Sequence, residues 1–95
     1  MTFLTSPLME TLPHIFHGFG MRNGKVPDGI VFPFQVHQTS IVFLDAPPRR
    51  DWHEEADAVV TTVPDLPVGV RTADCLPILL TDKTGTFVGA VHAGW

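Results

Sequence analysis

Apolar residues in this chain fall in short runs rather than at helical spacing. Ile41–Leu44, Ala58–Thr62, Leu76–Leu80 and Phe87–Val91 are each rich in Val, Ile, Leu or Phe, with the length and composition of β-strands. The last two flank Asp82-Lys83-Thr84-Gly85, a turn signal that makes them a hairpin. Ile30–Val36 is interrupted by Pro33, which predicts an irregular or edge strand delivering Gln35 and His37. Met1–Pro13 has no clear period and predicts a loose arm or a short edge strand, while His14–Phe19 alternates weakly and predicts another strand. Ala46–Asp57, with Pro47-Pro48 and Arg49-Arg50, reads as a solvated connection whose acids are surface charge. No run of helix length keeps a 3.6-residue period, and there are no internal repeats.

The string Gly18-Phe19-Gly20 followed by Arg22-Asn23-Gly24 approaches a dinucleotide-binding fingerprint. Asn23 stands where the third Gly belongs and no helical pattern follows. The stretch reads better as a turn rich in exposed backbone that presents Arg22.

Composition narrows the class. At 95 residues the chain is one domain or less, and its 44% apolar content is ordinary for a globular protein. No apolar run approaches the ~20 residues of a membrane span, and the start lacks the basic flank and apolar run of a signal peptide. A net charge of −4 argues against nucleic acid as a partner. A single Cys excludes an internal disulfide and fits a cytoplasmic location. Because Trp95 follows directly on a strand and a Gly, residues 1–95 are expected to be the N-terminal part of a longer domain.

The polar exceptions lie at the ends of the hairpin. Asp74 and Cys75 enter its first strand and His92 leaves its second. In an antiparallel pair the start of one strand lies beside the end of the next, so Cys75 and His92 are expected to be neighbours. A thiol beside an imidazole is a metal site or a nucleophile–base pair. His37 supplies a third donor. One Cys with two His makes a three-ligand zinc site whose fourth position is open to water or substrate, where a bound water is polarised towards hydroxide. The alternative is a Cys–His hydrolase with Cys75 as nucleophile and His92 as base. A four-copper oxidase is excluded, because it needs His-x-His pairs and the chain has five His and no such pair.

Three strings, Gln35-Val36-His37, Thr72-Ala73-Asp74-Cys75-Leu76-Pro77 and Val91-His92-Ala93-Gly94-Trp95, resemble the laccase-domain (multicopper polyphenol oxidase) family, in that family's order. Its members act as purine nucleoside phosphorylases and adenosine deaminases. The resemblance implies an α+β fold: a mixed β-sheet sandwich flanked by helices, of which this chain supplies mainly strands. It also implies one catalytic zinc ion held by His37, Cys75 and His92. The implied chemistry is phosphorolysis of adenosine, inosine and methylthioadenosine to base and (methylthio)ribose 1-phosphate, with hydrolytic deamination of adenosine.

The implied partners are a purine nucleoside and phosphate, with neither nucleic acid nor membrane. Arg22, on its glycine-flanked turn, is the expected cation for phosphate. Arg71 is the weaker choice because alternation could point it to solvent. Asp74 could carry a proton or support a ligand His, or simply cap its own turn. Family members are longer than this chain, so an inactive truncated fragment is the remaining alternative.

Overall fold

In the computed structural model, which describes residues 3–20, 28–37, 39–73 and 75–93, the apolar runs form most of the strands. The elements are β1 (Phe3–Leu4), α1 (Pro7–Glu10), β2 (Phe19–Gly20), β3 (Ile41–Leu44), β4 (Ala58–Thr61), β5 (Leu76–Thr81) and β6 (Val88–Ala93). The last four make one mixed sheet in the order β3-β4-β6-β5. β3 runs parallel to β4, and β6 runs antiparallel to both of its neighbours.

The pleat decides what this sheet buries. Val42 pairs with Val59, Val59 with Ala90, and Ala90 with Leu79, so one row of side chains crosses all four strands on a single face. Val59 and Ala90 in that row are fully buried, and Val42 and Leu44 nearly so. Val31, Trp52, Leu66, Val68 and Val70 pack over them from the connecting segments. Gly89 faces Val60 across the central pair. A Cβ there would come within 3.0 Å of a Val60 methyl and 3.3 Å of the Val59 carbonyl, which accounts for glycine inside a strand.

The N-terminal stretch keeps a short edge strand, one of its two expected forms, and adds a helical turn. It holds the two-residue edge strand β1 and the one-turn helix α1, where Ser6 accepts from the Met9 N–H at 3.4 Å and Pro7 opens the turn. Local capping makes this turn, so it leaves no trace in hydrophobic period. The strand expected over His14–Phe19 shrinks to Phe19–Gly20, paired antiparallel with β1. His14 has φ +65°, a left-handed backbone that cannot continue a strand. Segment 30–37 is irregular, as its Pro33 suggests, and joins the fold through single parallel bridges, Val31 to Val68 and Phe34 to Glu55.

The connection from β3 to β4 is also less solvated than it reads. Trp52 packs on the core, and Ala56 and Asp57 are buried. Asp57 stands two residues before Val59, so an extended backbone puts it on the same inward face. Its N–H donates to the Ser40 carbonyl at 3.0 Å, and its own carbonyl accepts from the His92 N–H at 2.7 Å. The acid is therefore part of the core's edge and not a surface charge.

The β5–β6 turn is closed by Asp82, whose carboxylate accepts from the Thr86 N–H at 2.7 Å, from the Thr84 hydroxyl at 3.0 Å and from the Thr86 hydroxyl. Gly85 supplies the positive φ of +71°. These donors, the Thr86 hydroxyl foremost, hold the Asp82 pKa at about 2 against a usual 3.8. A carboxyl with a lowered folded-state pKa stabilises above its unfolded value and loses that contribution as the pH falls towards its folded value. Acid unfolding of Asp82→Asn should therefore be less steep than wild type between pH 3.8 and about 2. Superimposable acid limbs would show that the ionised carboxylate does not hold this turn.

Candidate metal centre

Topology gathers the chemistry-bearing residues at one edge of the sheet. Because β3 and β4 are parallel and β6 opposes β4 and β5, the starts of β3, β4 and β5 and the end of β6 share that edge. His37 lies just ahead of β3, Asp57 and Cys75 immediately precede β4 and β5, and His92 is near the end of β6. One donor atom from each of His37, Cys75 and His92 can be chosen so that all three lie within 4.8 Å of one another. The two imidazoles meet edge to face, 4.9 Å between centroids at 81°.

His92 does not leave its strand, as its position after the apolar run suggests. β6 continues through Ala93, and His92 pairs with Pro77. It shares the inward face with Ala90 and is buried. Cys75 is half-buried and His37 exposed, so the trio runs from the core's edge to solvent. It lines a cleft of about 380 Å³ together with Gln35, Arg71, Thr72 and Ala73. A larger groove of about 580 Å³, lined by apolar residues such as Phe32, Val70 and Leu79, contains none of the three donors. Convergence of donors, not volume, picks out the smaller cleft.

Two clamps bring His37 to this place. The Gln35 side chain donates to the Arg71 carbonyl at 2.6 Å and accepts the Arg71 N–H at 2.7 Å, tying segment 30–37 to the chain entering β5. The Asp57 carboxylate then accepts the N–H groups of Val36 at 3.2 Å and His37 at 2.9 Å through one oxygen, Oδ1. His37 itself has φ +59°, a conformation that persists in a residue with a Cβ only where its surroundings impose it. The Gln-Val-His string thus positions the His37 imidazole as well as supplying it.

Asp57 is the residue that sequence reasoning passed over. Its carboxylate and the His92 imidazole are both 3% exposed, with Oδ1 and Nδ1 3.4 Å apart. Period-two alternation back from Val59 through Asp57 was the signal that could have found it. Arg71 is exposed as alternation suggests, yet its guanidinium stacks 3.8 Å above the Phe32 ring, and the residue borders the cleft. Arg22 and Asp74, the other expected site residues, lie outside the described residues.

The sequence of residues 19–95 matches the model of the multi-copper polyphenol oxidoreductase laccase family. The chain belongs to this family. Members similar to it include a purine nucleoside phosphorylase of Aquifex aeolicus, 46% identical over 69 residues, which are 70% of this chain and 30% of that protein. Another is a purine nucleoside phosphorylase of Haemophilus influenzae, 44% identical over 70 residues, 74% of this chain and 28% of that protein. A third is adenosine deaminase RL5 from an unknown prokaryotic organism, 38% identical over 82 residues, 79% of this chain and 31% of that protein. The chain therefore spans about three-tenths of the length of these relatives.

Within this family member the donor set suits a divalent borderline-soft ion. One thiol and two imidazoles are the ligand types zinc takes, and three protein donors leave a position for a reactant.

Proposed function

We propose that this chain is part of a cytoplasmic, zinc-dependent purine nucleoside phosphorylase that also deaminates adenosine. Its substrates would be adenosine, inosine and methylthioadenosine, with phosphate as co-substrate. Residues 1–95 would form the N-terminal portion of an α+β laccase-like domain. The observation that carries this reading is the convergence of His37, Cys75 and His92 in a chain with relatives named purine nucleoside phosphorylase and adenosine deaminase. His37, Cys75 and His92 would hold the metal, which when bound supplies a Lewis acid to polarise a water or a substrate oxygen.

The remaining steps fall to side chains. Arg22 would hold the phosphate oxygens by charge-assisted hydrogen bonds. Asp74, adjacent in sequence to Cys75, would carry a proton to or from the purine. The Gln35 clamp fixes the backbone of Arg71 at the cleft's border, leaving its guanidinium against Phe32 to shape the wall. Phosphorolysis brings an anion into the site and deamination does not, so the two reactions should respond differently to loss of a cation.

The test is metal content of the purified protein, followed by product analysis of adenosine with and without phosphate. Zinc near one equivalent, adenine and ribose 1-phosphate with phosphate, and inosine without it are the expected results. Arg22→Ala should depress phosphorolysis at least tenfold, the weight of one charge-assisted contact of about 1.5–3 kcal/mol, with deamination much less affected. A metal-free active protein would overturn the zinc centre, and equal loss of both reactions in Arg22→Ala would remove the phosphate role from Arg22.

A further inference from the structure

We infer that Asp57 is the positioning residue of this centre, holding His92 with Nδ1–H towards its own carboxylate and Nε2 presented to the cleft, while the same carboxylate holds the backbone of His37. The inference rests on the metal-centre reading and assigns it a residue that touches two of the three donors without being one. Asp57 Oδ1 accepts the N–H groups of Val36 and His37 and lies 3.4 Å from His92 Nδ1. One oxygen thus links a donor on an irregular segment to a donor on the central sheet.

Three observations support this role over simple structural filling. First, His92 Nδ1 is buried and makes no hydrogen bond among the described residues, its 3.4 Å contact with Oδ1 being longer than a well-formed one. An orphaned buried nitrogen is costly, and a proton placed on Nδ1 and aimed at Oδ1 is the arrangement that relieves it. Second, a carboxylate buried to this degree needs donors around it, and two of those it has belong to the string that carries His37. Third, the backbone of Asp57 is fixed on both sides, to Ser40 and to His92, and its buried carboxylate is itself held by two backbone N–H groups. A carboxylate behind an imidazole sets which nitrogen is free to bind a metal.

The experiment has two readouts, one of them independent of metal. Imidazole ¹⁵N chemical shifts of the metal-free protein report the tautomer of His92, and zinc titration with a competing chelator reports affinity. Wild type should show the Nδ1–H tautomer. In Asp57→Asn the amide oxygen can still accept from Val36 and His37, so the fold should persist. The loss of negative charge should lower the Nδ1–H fraction and weaken zinc binding by about 10–100-fold. If Asp57→Asn fails to fold, the wild-type tautomer still decides.

An Nε2–H tautomer in wild type, or an Asp57→Asn protein that binds zinc as tightly as wild type, overturns the role of Asp57 while the zinc reading stands. Failure of wild type to bind zinc overturns the metal centre instead, and the tautomer then shows whether the Asp57–His92 contact exists in its absence.

Discussion

With the proposed zinc centre in place, Cys75→Ser should abolish zinc binding and nucleoside turnover together. The thiolate is the only anionic donor in the trio of His37, Cys75 and His92, and a neutral hydroxyl does not replace it on the metal. With two imidazoles left, the site falls below the three protein ligands that hold a catalytic zinc. The expected readout is loss of bound zinc at micromolar total metal and a fall in turnover to background, with the thermal melt of the metal-free protein unchanged. The same substitution tests the Cys–His hydrolase alternative. A nucleophilic Cys75 predicts lost turnover with no zinc in either protein, because catalysis would then depend on the thiolate as an attacking group. Zinc retained by Cys75→Ser would remove Cys75 from the donor set altogether.

At His37 the backbone and the side chain should separate cleanly. His37→Gly and His37→Val both delete the donor, and both should lose zinc. They should differ in stability. A left-handed backbone costs a residue with a Cβ about 1–2 kcal/mol, and β-branching makes that worse. Gly avoids this cost but gives back up to about 1 kcal/mol through the greater freedom of its unfolded chain. The metal-free Val variant should therefore be less stable than the Gly variant by roughly 1 kcal/mol, read as a lower melting point. Equal melting points would mean that residue 37 is not held at φ +59° in solution. Zinc bound by His37→Gly would show that Cys75 and His92 recruit their third donor elsewhere.

Substitutions at these two positions test different layers of the same arrangement. Cys75 owes its place to a hairpin, a local structure whose register follows from the turn and the alternation of its strands. His37 owes its place to the Gln35 and Asp57 contacts, which join segments distant in sequence. Loss of either clamp should therefore disturb His37 before it disturbs Cys75.

What the sequence determined by itself is largely local. Ile41–Leu44 and Ala58–Thr61 are strands because β-branched and aromatic residues fill them, and Leu76–Thr81 pairs with Val88–Ala93 because Asp82 and Gly85 make the turn between them. Hairpin geometry alone places Cys75 beside His92. The family was also legible, since the three strings that resemble it stand in its order and its model matches residues 19–95. Tertiary structure decided the rest. The parallel pairing of β3 with β4 brings His37 to the same sheet edge as the hairpin's two donors, and no local pattern encodes a parallel pairing across a connection of that length. Asp57 looked like one more acid at the end of a charged loop; its burial follows from sharing the inward face of Val59, which is fixed only once β4 lies between β3 and β6. The left-handed turn at His37 is likewise imposed from outside, by a carboxylate twenty residues further along the chain. Side-chain period and turn chemistry act over a few residues, whereas the fourth member of this constellation is placed by hydrogen bonds that exist only after the sheet has assembled.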